Sequence, residues 1–269
     1  MPPKRNVVPA DDPELRAGTS AHYEDAAYYT KTYASRRQDV LFYVDRAERS
    51  GGSVLEYGCG NGRILIPTAR AGIEIVGVDL SDTMLADLAE RLAAEPAEVR
   101  ARALVKKGDM RAVALRRRFA LVTCPFNAFL HLYERVDIER FLARVKAHLA
   151  PKGRFVLDVS VPDAEELARK PERAYRTRPF VYPGVGRVRY AERFDYDPIR
   201  QILFVSMEFE PMDGSEPFMT PLAHRQIYPR ELEAMLHYAG FAIEERIGDF
   251  DGPVEPETRT LVLVARARS

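Results

Sequence analysis

Apolar positions along this chain follow two rhythms. Up to residue 160, short unbroken apolar runs at 54–57, 73–79, 103–107, 119–126 and 154–160 read as strands. Between them the spacing turns helical, over 63–70, from Ser81 to about Leu92, and over 136–149. Ser81 is a suitable N-cap, and "SDTMLADLAERL" places Met84, Leu85, Leu88 and Leu92 on one helix face. Strands without polar alternation are buried on both faces, so the pattern predicts a parallel sheet covered by helices, a doubly wound α/β core. Ahead of it, 23–49 carries aromatic and aliphatic residues at near-helical spacing and predicts one or two helices.

After residue 160 the rhythm changes. "GRVRYAERFDYD" and "RQILFVSMEFEP" flank Asp197-Pro198 and predict an antiparallel hairpin turning there. Pro229 suits a first helical position and Gly240 a C-terminal cap, and strands at 243–247 and 260–264 close the chain. The organisation expected is a polar, flexible first twenty residues and N-terminal helices (1–50), an α/β core (51–160), a β-rich insertion (161–225) and the end of the core (226–269).

Composition narrows the partners. Lys+Arg and Asp+Glu are both 40 in 269 residues, so a general nucleic-acid binder, which would carry a basic excess, is disfavoured. The run Arg116 to Arg118 reads as a solvated turn. The two cysteines, Cys59 and Cys124, lack metal-binding spacing and read as buried thiols in a reducing compartment, so no metal is expected. The Pro-rich N-terminus lacks a signal-peptide core, and no stretch approaches the roughly 18 apolar residues of a membrane span. A soluble, cytoplasmic protein is the expectation.

The segment "VLEYGCGNGRILIPTARAGIEIVGVDLS" carries the chemistry. Glycines after a strand let backbone approach a ligand closely, the following helix offers free N–H groups, and an acid ending the next strand can bond both hydroxyls of a ribose. The dinucleotide fingerprint G-x-G-x-x-G fails, because counting from Gly58 it requires glycine where Arg63 stands. Instead the order is E-x-G-x-G-x-G: Glu56, Gly58, Gly60, Gly62, and then Asp79. This form resembles motif I of class I S-adenosylmethionine-dependent methyltransferases. "KKGDMR", "FALVTCPFNAFLHL", "HLAPKGRFVLDV" and "AGF" follow in that family's order. The resemblance covers 54–160 and 228–264. It implies a Rossmann-like sheet of seven mostly parallel strands, with the antiparallel insertion placed after the fifth. It further implies S-adenosylmethionine as methyl donor, S-adenosylhomocysteine as product, and cofactor contacts from Glu56, Gly58, Gly60, Gly62, Asp79, Leu80, Met84, Asp109, Met110 and Pro125.

A narrower resemblance, to small-molecule N-methyltransferases of the aminosugar and glycine type, rests on Tyr29, Tyr33 and Arg36 before motif I, on "GDMR", and on the insertion. It implies that the N-terminal tyrosines close over the cofactor and that the insertion covers a small-molecule acceptor. Tyr29 and Tyr33 also suit ordinary helix packing.

Methyl transfer to an amine needs no base before attack, whereas a hydroxyl benefits from one. His131, just past the fourth strand, is the candidate base or acceptor-orienting group, with Tyr133 a weaker neighbour. His224, Arg225 and Asp158 could face the acceptor, while His148 and His237 read as structural. A nucleobase methyltransferase would carry [D/N]-P-P-[Y/F] where this chain has Cys124-Pro125-Phe126-Asn127. Nothing in the sequence favours a protein acceptor, and a non-catalytic cofactor-binding regulator is a further alternative. N- and O-methylation both stay open, as do monomer and homodimer.

Overall fold

The computed structural model describes residues 12–268. Four helical segments come first: α1 (Pro13–Ser20), a 3-10 turn (Ala21–Tyr23), α2 (Ala26–Tyr33) and α3 (Gln38–Ser50). The core then runs β1 (Val54–Tyr57), α4 (Leu65–Arg70), β2 (Ile75–Asp79), α5 (Asp82–Ala93), α6 (Ala97–Arg102), β3 (Ala103–Lys107) and β4 (Phe119–Cys124). After a 3-10 turn (Ala128–His131) follow α7 (Arg135–His148) and β5 (Leu149–Ser160). The insertion holds α8 (Ala164–Leu167), β6 (Tyr175–Arg176), β7 (Phe180–Tyr182), β8 (Gly186–Asp197), β9 (Ile202–Pro211) and β10 (Phe218–Arg225). The chain ends with α9 (Pro229–Tyr238), β11 (Phe241–Gly248) and β12 (Thr260–Ala267).

Seven strands form the main sheet in the order β11-β12-β5-β4-β1-β2-β3. β1 pairs in parallel with both β2 and β4, and β12 runs antiparallel to its neighbours β5 and β11. This is the doubly wound, mostly parallel sheet that the unbroken apolar runs predict. Leu55, Val122, Phe155 and Leu263 are fully buried within it, each such side chain contributing ~1.5–3 kcal/mol by leaving water. The insertion is a separate antiparallel sheet in the order β10-β9-β8-β6, with β7 on β8. Its central hairpin turns after the Asp197↔Ile202 pair, where Asp197 Oδ1 accepts from the amides of Ile199 and Arg200.

Several boundaries differ from the sequence reading. The first twenty residues were expected as a flexible arm, but from Pro13 onward they form a helix, residues 1–11 lying outside the described range. Asp12 caps α1 and pairs with Arg200 at 2.7 Å, Pro13 starts it, and Leu15 packs with Ile202 and Ala223 of the insertion. The approach to β10 is close enough that a Cβ on Gly18 would lie 2.5 Å from Ala223 Cβ. Such tertiary burial is invisible to local composition. β5 begins at Leu149, ahead of the expected 154, because Phe119 of β4 pairs with Leu149 across a register shift. β4 stops at Cys124, short of the expected 126, because Phe126 and Asn127 take left-handed conformations (φ 56° and 61°).

Candidate functional site

In open α/β sheets, ligands sit beyond the carboxyl ends of the strands where strand order reverses. Here the reversal lies between β1 and β4, and a cavity of about 1310 Å³ opens there. Gly58 and Gly60 form its floor with φ of 69° and 50°, values that disfavour any residue with a Cβ. A Cβ on Gly58 would stand 2.8 Å from Ala128 Cβ, so a side chain there would crowd another residue of the cavity lining.

Asp79 ends β2 at the cavity wall. Its Oδ2 accepts from Gly60 N at 2.7 Å and its Oδ1 from Ser81 N at 2.9 Å. Burial raises its pKa, and the amides of Ser81, Gly60 and Leu80 pull it back. The carboxylate is thus fixed in orientation and keeps lone pairs for a ligand. Beside it Leu80 is 58% exposed into the opening, an apolar surface suited to a flat ring, while Met84, on the first turn of α5, is buried and also lines the cavity. Asp109 and Met110, beyond β3, line the same space. Burial would raise the Asp109 pKa, but Arg111, with Nη2 at 2.6 Å and its own amide at 2.8 Å, holds it below the ordinary value. Tyr29, Pro125 and His131 complete the inventory of expected site residues that reach this cavity.

Four expected cofactor contacts do not line it. Gly62 faces α5, where its Cβ would meet Leu88 Cδ1 at 2.3 Å. Glu56 is 2% exposed, and burial, with Arg63 opposing and Asp79 adding, raises its pKa well above the ordinary value; its Oε2 has no hydrogen-bond partner among the described residues. Arg36 lies over the Phe126 ring at 4.8 Å, Arg63 over the same ring at 4.7 Å, and Asp39 bonds Arg63 through both oxygens. Tyr33 turns to a second cavity.

That second cavity, of about 380 Å³, lies between α2, the end of β5 and the inner face of the insertion. Glu166, Tyr190, Glu192 and His224 line it from the insertion, and His22, Tyr28 and Tyr33 from the N-terminal segment. The two cavities are divided by an aromatic wall. His22 touches the rings of Tyr23, Tyr29 and Tyr33 edge-on, and His131 touches those of Tyr23 and His224. His131 faces the first cavity with its nitrogens engaged: Nε2 pairs with Tyr23 OH at 2.8 Å and Nδ1 approaches Tyr133 OH at 3.4 Å. Burial, with His224 and His22 nearby, depresses its pKa well below the ordinary value.

His22 was not anticipated. It is 4% exposed, its Nε2 meets Tyr33 OH at 3.0 Å, its Nδ1 has no partner among the described residues, and burial lowers its pKa to about 4. His224, also lowered to about 4 by burial, likewise leaves Nε2 unpartnered. "AHY" carries no motif that could have marked His22; only the packing of α2 against the insertion gives it a role. Of the remaining candidates, Arg225 bonds Tyr133 O and Glu231, a structural clasp. Asp158 accepts from Tyr43 OH at 2.6 Å and Phe126 N at 2.9 Å, and so holds the strained Pro125-Phe126-Asn127 turn. His148 accepts from Leu115 N through Nε2 and therefore donates from Nδ1 to Tyr57 OH, a structural bridge, while His237 is exposed on α9.

Sheet order, glycine turn and acid together form a cavity at the switch point whose chemistry suits a nucleoside-containing ligand. Residues 54–153 match the family described as "Methyltransferase domain". Over 128 residues the chain is 33% identical to a dTDP-3-amino-3,6-dideoxy-alpha-D-glucopyranose N,N-dimethyltransferase of Streptomyces fradiae, a match covering 48% of this chain and 47% of that one. The chain thus spans about half the length of that relative. A glycine/sarcosine N-methyltransferase of Halorhodospira halochloris is 27% identical over 78% of this chain and 73% of its own. Among solved structures, the CcbJ methyltransferase of Streptomyces caelestis superposes with a TM-score of 0.74 at 28% identity, covering 86% of this chain and 94% of that one.

Proposed function

We propose that this protein is an S-adenosylmethionine-dependent methyltransferase that methylates an N or O atom of a small molecule and releases S-adenosylhomocysteine. The observation that carries this reading is that Asp79, Gly58 and Gly60 share one cavity at the switch point, within the segment that matches the methyltransferase family. The residues fit the cofactor by their chemistry. Asp79 would accept from both ribose hydroxyls, Leu80 and Met110 would flank the adenine, and Asp109 would receive its amino group. The Gly58–Gly60 backbone would pass close to the methionine portion.

The bound cofactor supplies a methyl on a positively charged sulfur, and the departing sulfide is neutral. The protein's share is positioning: an acceptor lone pair must be held about 3 Å from that carbon, in line with the sulfur. Tyr23, Tyr29 and Pro125 border the first cavity where it meets the dividing wall, and the insertion supplies the second cavity on the other side. The acceptor is placed in the second cavity by this reading, and transfer then requires the rings of the dividing wall at His22 and Tyr33 to part so that the lone pair reaches the methyl carbon. Because α1 and α2 dock onto the insertion, the N-terminal segment would screen the reaction from water. Among the described residues no helix is long and apolar enough to cross a membrane, and both cysteines are buried free thiols, in keeping with a cytoplasmic enzyme.

The test is transfer of labelled methyl from S-adenosylmethionine into a host extract separated into small-molecule, nucleic-acid and protein fractions. Label in the small-molecule fraction, abolished by Asp79→Ala, is the expected result. Label in nucleic acid or protein would overturn the acceptor class, and no label from a protein that binds the cofactor would favour a non-catalytic role.

A further inference from the structure

The second cavity has a charge character that its neighbours do not share. Its lining carries two carboxylates, Glu166 and Glu192, and two histidines that burial keeps neutral. Glu166 is paired with Arg169 at 3.4 Å, whereas Glu192 has no Lys or Arg partner among the described residues, and no Lys or Arg belongs to the lining itself. Glu192 sits on β8 with Tyr190 OH donating to its Oε1 at 2.5 Å. Tyr28, Tyr33, Tyr190 and Phe194 supply aromatic faces and edges around it. His22 Nδ1, in a side chain 4% exposed, has no partner among the described residues, and His22 belongs to the same lining. At about 380 Å³, the space stands at the lower end of the ~300–1,000 Å³ typical of small-molecule pockets.

Each feature selects. A phosphate or carboxylate entering this space would meet the unpaired charge of Glu192, and the cation at its margin, Arg169, is already engaged by Glu166. A cationic amine would meet carboxylates and aromatic rings, a combination that attracts ammonium groups. The chemistry of transfer points the same way. When a neutral amine attacks, the N–C bond forms as the C–S bond breaks, and the positive charge moves from sulfur to nitrogen. A carboxylate fixed beside the acceptor nitrogen stabilises that arriving charge in the transition state.

We propose that the acceptor is an amine bearing no phosphate or carboxylate group, recognised in the second cavity by Glu192 and His22 Nδ1 within the aromatic lining. The proposal rests on the methyltransferase reading and sharpens it: N-methylation, and of a substrate unlike the nucleoside-diphosphate sugar in the name of the Streptomyces fradiae relative. Glu192 takes the ammonium, which must release one proton to water before its lone pair can attack, and as a carboxylate it then faces the N-methylammonium that forms. Nδ1 of His22 accepts an N–H or O–H of the same molecule.

Titration calorimetry on the full chain saturated with S-adenosylhomocysteine tests this with two simple probes, benzylammonium and phenyl phosphate. Benzylammonium is expected to bind at one site, at least tenfold more tightly than phenyl phosphate. Glu192→Gln is expected to weaken benzylammonium about tenfold while S-adenosylhomocysteine affinity holds, which shows the variant to be folded. Glu192→Lys is expected to reverse the preference toward phenyl phosphate. Equal or tighter binding of phenyl phosphate to the unaltered chain overturns the proposal, as does benzylammonium affinity indifferent to Glu192→Gln. Absence of benzylammonium binding to a chain that binds S-adenosylhomocysteine overturns it too. Failure to bind S-adenosylhomocysteine, read in the first titration, is instead the failure of the cofactor reading.

Discussion

Asp79 has two tasks that compete for the same oxygens. It pins the glycine turn by accepting from Gly60 N, and it offers its remaining lone pairs to the cavity. Asp79→Ala removes both, leaving the Gly60 and Ser81 amides without their side-chain acceptor. A lost buried hydrogen-bond set of this kind costs ~2–4 kcal/mol, about a 30- to 1,000-fold loss of affinity. S-adenosylhomocysteine binding by calorimetry is expected to fall by that range, and Asp79→Asn, which keeps one acceptor oxygen, by less. Affinity within threefold of the unaltered chain would remove Asp79 from the site. This residue was legible in the sequence because its partners are close along the chain, 19 positions apart across one strand–turn–helix–strand unit. His22 was not legible, because its significance depends on Glu192 and His224, brought to it only when the insertion folds over α2. His131 was singled out for standing after β4. Its location at the sheet edge holds, but its nitrogens are already engaged with Tyr23 and Tyr133.

At the level of elements, the strands and helices of the core could be read from periodicity because each is buried in the manner that its apolar pattern demands. The exceptions arise where backbone pairing or packing, absent from any local window, decides the outcome. Gly62 illustrates this. Its spacing belongs to the glycine motif, yet it lets α4 and α5 approach: φ is 81°, and an added Cβ would stand 2.3 Å from Leu88 Cδ1 and 3.1 Å from Ile66 Cγ1. Gly62→Ala therefore combines backbone strain with overpacking, each worth ~1–3 kcal/mol. The urea midpoint is expected to fall with an unchanged slope, while S-adenosylhomocysteine affinity drops less than in Asp79→Ala. The opposite ranking would return Gly62 to the ligand face. The insertion shows a similar limit. Its central hairpin was legible from alternation and the Asp197 turn, but β6, β7 and β10 carry shorter or interrupted patterns, and pairing with β8 or β9 defines them.

Over the whole molecule, the N-terminal helices, the insertion and the sheet edge meet around three histidines, and this gives folding a particular pH dependence. Burial holds His22 and His224 near pKa 4 and depresses His131 well below its ordinary value. In the unfolded chain each returns to about 6.5. As pH falls below that point the unfolded state binds protons that the native state refuses, so stability is lost between about pH 6.5 and 4. A shift of that size corresponds to ~3 kcal/mol for His22, and to less for His224, whose ring keeps some contact with solvent. Asp158 works in the opposite sense. Burial raises its pKa to about 6, against the bonds from Tyr43 and Phe126, so the native state takes up a proton before the unfolded state does and gains stability as pH falls from about 6 toward 4. Glu56, Asp79 and Glu166, raised by burial, act in the same sense as Asp158, and His148, lowered by burial, acts with the other three histidines. The two sets oppose each other, so each group is read from the pH slope of the urea midpoint in its own variant. His22→Gln, which cannot be protonated, is expected to lose less stability on acidification than the unaltered chain, whereas Asp158→Asn should lose more by removing the opposing contribution. A pH slope for His22→Gln indistinguishable from that of the unaltered chain would mean that His22 reaches solvent. The wall between the two cavities would then be open in solution.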